Sequence, residues 1–349
     1  YCYNLSSKWR PFNDYISKTH YNPMNSNFQF FIEIELHREL LLSPILTQNP
    51  EEADFFFIPV YIYSVLISQN FSRFNFPELF AELRSLGPWF DKKNGADHLL
   101  CSGLDLIWLS QQAIKPLLQT KIILNAVSPS FRHDWVHYEY KRNVVLPYVS
   151  YFPNYDPDQV DWNKSRQNSV FLGLSTKTKK EFRSRLIRIT EKVPKSVVVD
   201  FHTRDDNVLM TILPNLPKYY MNSDFCVCPK GDTSVSKRIY DASLFGCIPV
   251  FIADDVYLPF SGDILDYRKF TIHIPEKEMH RIPEILSKYT QDDILQMRSE
   301  LHKAAKMFRY RVNEPPRLGE SFWAISWMWY IRFLYTQQFD FKYNPFWHK

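Results

Sequence analysis

The sequence predicts an α/β protein built from two doubly wound parallel sheets, each with helices on its faces. Three observations carry this. Short apolar, β-rich runs recur in both halves of the 349-residue chain, with helical stretches between them. Near-continuous runs such as SVVVDF (Ser196–Phe201) and IPVFIA (Ile248–Ala253) suit strands buried on both faces. A polar, proline-interrupted stretch from Pro153 to Ser169 separates the two sets and reads as a linker.

In chain order, the first set of expected strands is Tyr1–Leu5, Ala53–Tyr61, His98–Ser102, Lys121–Val127 and Asn143–Val149. The second set is Ser169–Leu174, Ser196–Phe201, Asp224–Pro229, Ile248–Ala253 and Phe270–Ile274. Between them, FFIEIELHRELLLS and TKKEFRSRLIRITEKV repeat their apolar residues at helical spacing. The stretch from Pro315 onward is rich in Trp and Phe and has no further strand to serve, so it is expected to pack back across both halves. The domains expected are therefore residues 1–160, residues 161–314, and a C-terminal helical segment, 315–349.

The chain is 45% hydrophobic, 17% aromatic and 23% charged, which marks a folded protein and excludes disorder. The aromatic surplus serves a core, and it also suits a carbohydrate handler, because ring faces stack on sugar C–H faces. A net charge of +4 without a Lys/Arg run gives no support to nucleic-acid binding. Pro59 and Ser64 break the apolar run Phe55–Ile67, and Arg332 cuts Phe322–Tyr335, so neither is expected to span a bilayer. Membrane attachment is expected only through an anchor outside this sequence. Asn4, Asn70 and Asn163 head Asn-x-Ser sequons, which lean toward a lumenal location. The cysteines form no zinc pattern; one disulfide with the others free is open.

Ligands of open α/β sheets bind beyond the carboxyl ends of the strands. That rule nominates Asn4, Tyr61, Tyr63, Asp105 and Pro147 onward in the first half. In the second it nominates Ser175, Thr176, His202, Arg204, the turn Lys230–Ser236, Asp254 and Asp255. The turn belongs to CPKGDTSVSKRIYDASLFGCIPVFIADD, from Cys228 to Asp255. There a strand ends at Pro229, and Lys230, Gly231, Asp232, Thr233 and Ser234 turn the chain. Thr233 or Ser234 is expected to cap a helix that runs to about Phe245 and stops at Gly246. Free N–H groups at such a start, with Lys230 nearby, favour a phosphate. Arg238 and Asp241, three apart, share a helix face, suited to a diphosphate and to sugar or ribose hydroxyls. The same pattern also describes an ordinary cap with an Arg–Asp surface pair.

The segment FCVCPKGDTSVSKRIYDASLFGCIPVFIADDVYLPF resembles the donor-site segment of the exostosin family of glycosyltransferases. The shared features are the Phe-Cys strand, the Pro-x-Gly turn, Ser236-x-Arg238, an acidic residue three later, Gly-Cys-Ile-Pro-Val, then Asp and Leu-Pro-Phe. NPEEADFFFIPVY (Asn49–Tyr61), the helix with Glu33 and His37, NGADHLL (Asn94–Leu100), NVVLP and VFLGL followed by Arg183-x-x-Leu186 extend the likeness over most of the chain. Ala96 replaces the family's usual Arg, and Asn4 its usual Asp.

The resemblance implies the two-domain GT-B fold, a nucleotide-sugar donor held mainly by the second domain, and inversion at the anomeric carbon. Arg238, Arg183 and Lys230 would stabilise the departing diphosphate, and no metal or other cofactor is expected. Lys230, Gly231, Asp232, Thr233, Ser234, Ser236, Arg238, Asp241 and Asp254 are the expected donor contacts, the donor being a UDP-sugar. Asp105 is the expected base, with Asp97, His98 and Glu33 as alternatives; Glu33, Tyr61, Asp97 and His98 are acceptor-side candidates, although His98 starts its strand, at the end away from the crevice. Asp156-Pro-Asp158 reads as turn chemistry. The activity expected is transfer of a sugar to a polysaccharide or protein-linked glycan in the Golgi lumen, with a related chain as a possible dimer partner. The rivals are a non-catalytic subunit of the same fold and a two-domain ligand receptor.

Overall fold

A computed structural model of the chain describes residues 1–10, 30–68, 74–103, 111–127, 143–150, 152, 155–202, 212–231, 235–254, 256–311 and 314–338. Its strands are β1 (Phe56–Ile58), β2 (His98–Ser102), β3 (Ile123–Ala126), β4 (Asn143–Val145), β5 (Asn168–Leu174), β6 (Ser196–Asp200), β7 (Ser223–Pro229), β8 (Ile248–Ile252) and β9 (Ile272–Ile274). They form a four-stranded sheet, β1-β2-β3-β4, and a five-stranded sheet, β6-β5-β7-β8-β9, with every pair parallel. The α/β fold class stands. The expected first strand, Tyr1–Leu5, is reduced to one parallel bridge between Cys2 and Phe57. The reason lies next door: β1 is only three residues long and offers an edge strand little ladder to join.

The helices that matter are α1 (Ile32–Leu42), α2 (Ile62–Ser68), α3 (Phe76–Ser85), α4 (Gln111–Leu118), α5 (Lys180–Thr190), α6 (Arg238–Leu244), α7 (Gln291–Ala305) and α8 (Ser321–Gln338). Residue chemistry explains the best-defined ends. Asn75 accepts a hydrogen bond from the N–H of Glu78 to start α3, and Thr290 and Asp293 form a reciprocal capping box on α7. Among the described residues, no helix is long and apolar enough to cross a membrane.

The two sheets share apolar packing. One cluster joins Ile32, Leu36, Phe57 and Leu99 of the first half to Val170, Val250 and Leu301 of the second, with Phe322 of α8. A second cluster, including Ile58, Phe76, Leu83 and Leu100, belongs to the first half alone. In α8, buried Trp329 donates its indole N–H to Asn125 Oδ1 (2.7 Å). Arg332 of the same helix donates to Asn143 O (3.0 Å) and pairs with Asp263 (2.8 Å).

The expected linker is pinned along much of its length. Asp156 accepts a hydrogen bond from the N–H of Asp158 (3.0 Å) and pairs with Arg309 (2.9 Å). Asp158 meets Lys306 (2.8 Å) and His302 (3.0 Å), so Asp156-Pro-Asp158 is a turn whose carboxylates face cations. Trp162 stacks on His302, ring centroids 4.5 Å apart. Arg166 donates to Tyr220 O and Ser223 O, each at 2.8 Å.

The chain crosses back after α7 through Arg309, Tyr310 and Arg311. Arg311 grips Glu320 with two parallel bonds (2.6 and 2.7 Å), meets Glu314 (2.5 Å), and its backbone N–H donates to Glu39 of α1 (2.6 Å). Tyr310 Oη donates to Pro147 O (3.0 Å). Cys226 and Cys247 are disulfide-bonded, tying β7 to the turn that enters β8, with Cα atoms 5.7 Å apart. Cys2, Cys101 and Cys228 are free.

Two stability measurements follow. Removing Arg311 leaves buried Glu320, among the described residues, with only the more distant Arg309 (3.6 Å) as a cationic partner, so Arg311→Met is expected to cost about 3 kcal/mol in denaturant titration. The double variant Arg311→Met/Glu320→Met should cost less than the sum of the singles; strict additivity would refute the coupling. The second concerns His37, whose imidazole burial pushes down to about 4, with Arg10 adding to the effect. Between that value and the unfolded-state value near 6.5 the unfolded chain holds a proton that the folded chain lacks. Stability therefore falls as pH drops from about 6.5 toward 4, by up to about 1.4 kcal/mol per pH unit for this group. His37→Gln should flatten that slope in pH-dependent melts, and an unchanged slope would assign it elsewhere.

Candidate active site

The second sheet reverses its direction of winding between β5 and β7, and the crevice beyond their carboxyl ends is the fold's own place for a ligand. The cations gather there. Arg238, the first residue of α6, reaches across and donates its Nε–H to Gly173 O of β5 (2.8 Å). Arg183 of α5 donates from Nη1 to Ser175 O (2.6 Å) and to Thr178 Oγ1 (2.8 Å). Both arginines thus converge on carbonyls within three residues at the end of one strand. Lys179 donates its ammonium to Gly231 O beyond β7. Lys230 pairs with Glu276 and lies 6.0 Å from the Phe182 ring centroid. Lys179 was not anticipated; its backbone is left-handed (φ 49°), a conformation the lysine-rich run TKTKK does not advertise.

The helix that follows β7 starts later than expected. α6 begins at Arg238, its N-cap is Lys237, and no side chain caps it, so the expected Thr233 or Ser234 cap does not start this helix. The expected stop is present. Gly246 follows the helix with φ +70°, and a Cβ there would sit 2.7 Å from Arg166 Nη2, so conformation and space both require glycine. Ser236 is buried, and its hydroxyl has no partner among the described residues.

Arg238 and Asp241 are not a surface pair. Asp241 is 1% exposed. Its Oδ1 accepts a hydrogen bond from Ser150 of the first half (2.6 Å), and its Oδ2 pairs with Lys237 one turn earlier. Burial pushes the Lys237 ammonium down to about 8, against the attraction of Asp241. Sequence reasoning passed over Lys237, although its i,i+4 spacing to Asp241 was a usable signal. Ser150 carried no signal, because the contact joins residues 91 apart. Asp254 is exposed at the end of β8 and accepts the N–H of Glu276 (2.9 Å).

In the first half, Glu33 lies at the crevice end but turned inward. Its carboxylate accepts hydrogen bonds from the N–H groups of Tyr63 (3.0 Å) and Gly103 (2.9 Å), joining the start of α2 to the end of β2. Burial raises its pKa to about 8 despite those donors. Tyr61 Oη meets His37 Nδ1 (2.9 Å), and His37 Nε2 meets Cys2 Sγ (3.3 Å). Asp97 and His98 stand at the opposite end of the sheet. His98 is fully buried between Asp97 Oδ1 (2.8 Å) and Tyr3 Oη (2.7 Å). Burial lowers the His98 pKa; for Asp97 burial works upward, but the bonds from His98 and Lys93 outweigh it and the pKa is lowered. This polar chain braces the sheet away from the crevice. Asn4 and Asn163 are exposed. Asp105, Asp232, Thr233, Ser234, Asp255, Arg204 and Asn70 lie outside the described residues.

The exostosin GT47 domain model matches residues 1–289. A probable glucuronoxylan glucuronosyltransferase of Arabidopsis thaliana is 26% identical over 332 residues, covering 85% of this chain and 66% of that protein. A probable glucuronosyltransferase of Oryza sativa subsp. japonica is 28% identical over 355 residues, covering 93% and 79% respectively. A probable beta-1,4-xylosyltransferase of Arabidopsis thaliana is 27% identical over 344 residues, covering 86% and 74%. Among solved structures, the pneumococcal O-GlcNAc transferase GtfA in complex with UDP and GlcNAc aligns over 74% of this chain and 60% of that one. At 11% identity and a TM-score of 0.36 that likeness is too distant to argue from. With its model matched across both sheets, the chain belongs to the exostosin GT47 family of glycosyltransferases.

Proposed function

We propose that this chain transfers a sugar, with inversion, from a UDP-sugar to a growing polysaccharide or protein-linked glycan. One observation carries the donor assignment: Arg238 and Arg183 converge at the end of β5 while Lys179 and Lys230 stand at the end of β7. In the reaction an acceptor hydroxyl oxygen forms the new bond to the anomeric carbon as the bond from that carbon to the diphosphate oxygen breaks. The hydroxyl proton passes to a base, for which Asp105 is the choice, and the electron pair leaves with the UDP. Cations fixed in advance around the leaving diphosphate stabilise its growing charge. We assign that task to Arg183, Arg238, Lys179 and Lys230, without a metal. Residues 1–160 would serve the acceptor, 161–314 the donor, and 315–349 would brace the two. The relatives' names make a glucuronosyl or xylosyl donor the first to test.

A second reading is a non-catalytic subunit of a glycosyltransferase complex, paired with a related chain. One feature favours it: both oxygens of Asp241 are already engaged. A Golgi-lumen location for the chain is supported by the Cys226–Cys247 disulfide and by the exposure of Asn4 and Asn163.

Thermal-shift screening against UDP, GDP, CMP and UDP-sugars, with and without EDTA, separates the readings. A ligand near 100 times its dissociation constant stabilises the native state by about 2.7 kcal/mol. The expectation is a UDP-selective shift that survives EDTA and disappears in Arg238→Ala. A wild-type chain that no nucleotide stabilises would give the second reading the field. For the location, mass-spectrometric mapping of protein secreted from eukaryotic cells should find glycans on Asn4 and Asn163 and an intact Cys226–Cys247 peptide. Reduced Cys226 and bare asparagines would count against a lumenal site.

A further inference from the structure

Beside the arginine cluster, on the other flank of β5, lies a second polar group that the diphosphate assignment does not use. Thr176, two residues beyond β5, donates its hydroxyl to Asp200 Oδ2 at the end of β6 (2.7 Å), and its backbone N–H donates to Asp200 Oδ1 (3.0 Å). The same hydroxyl oxygen lies 3.2 Å from His202 Nδ1. Thr176 is 8% exposed, whereas Asp200 and His202 are exposed.

Proton counting fixes the imidazole. A threonine hydroxyl has one proton, and the carboxylate takes it at the shorter distance, so the oxygen faces His202 as an acceptor. His202 Nδ1 must then carry a proton, and in the neutral ring the lone pair sits on Nε2. Nε2 has no partner among the described residues. Asp200 and Thr176 thus orient the ring and select its tautomer, leaving an acceptor at the carboxyl ends of β5 and β6. The backbone link to the arginine cluster is short: Ser175, whose carbonyl receives Arg183, is the residue before Thr176.

We propose that His202 is a donor-contacting residue, its Nε2 accepting a hydrogen bond from a hydroxyl or ring N–H of the nucleotide sugar, with Asp200 and Thr176 as positioning residues. This rests on the donor site lying at the β5–β7 crevice. The accepting chemistry is the same whether the donating group belongs to the transferred sugar or to the nucleoside, and the two sources separate experimentally.

Calorimetric titration of the full chain with UDP, UDP-glucuronic acid and UDP-xylose tests the assignment. His202→Ala should weaken binding roughly three- to tenfold, the worth of one neutral hydrogen bond. Its melting temperature without ligand should stay unchanged, because the side chain is exposed. A loss seen with UDP itself places the contact on the nucleoside, and a loss confined to the UDP-sugars places it on the transferred sugar. Thr176→Val should reproduce the loss, add nothing to His202→Ala, and be rescued by Thr176→Ser, which keeps the hydroxyl. Wild-type affinities in His202→Ala would overturn the role of His202 alone. A wild-type chain that binds none of the three would overturn the donor site and this inference with it.

Discussion

A carboxylate withdrawn from water needs partners for both its oxygens, and Asp241 draws them from opposite halves of the chain. Ser150 arrives along the segment that leaves β4, and Lys237 along the turn that leaves β7. Taking either away removes a hydrogen bond from a buried carboxyl group, a large cost in a low-dielectric interior. The position of α6 relative to the first sheet is therefore tied to one buried side chain. Because Arg238 stands on that helix, the reach of its guanidinium to β5 depends on the same contact.

Around the β5–β7 crevice a different logic operates. Arg183 and Arg238 both donate to backbone carbonyls at the end of β5, which orients them, whereas Lys230 is paired with Glu276. A site for an anionic group needs cations that are fixed in place, and carbonyl anchoring helps to fix them. In the donor site proposed above, the lone pair of His202 on the far flank of β5 would complement this: positive groups for phosphate, an accepting nitrogen for a neutral polar group.

Much of this fold was legible because parallel strands leave unbroken apolar runs; Ile248–Ile252 is buried throughout as expected, whereas Ser196–Asp200, at the edge of its sheet, is only half-buried with Asp200 exposed. Gly246 was legible for a similar reason, since a helix stop with left-handed backbone has few other solutions. The failures share a cause. Tyr1–Leu5 has strand composition, but whether it pairs depends on the length of its neighbour. The start of α6 depends on the path of the turn before it, and hydroxyl residues at 233 and 234 advertise a cap wherever they fall. The partners of Asp241 and Arg311 come from distant segments, and no local pattern encodes such meetings. Tyr61 follows its strand as the sequence indicated, but the direction of its side chain, inward toward His37, and that of Glu33, toward Tyr63 and Gly103, are set by packing.

The chain passes between its halves twice, once through the pinned stretch that includes Asp156 and once through Arg309–Arg311. The Asp156–Arg309 pair joins the two crossings to each other. The two crossings are therefore braced as one strut, like the legs of a trestle tied by a rung, and a disturbance of either one is felt by both.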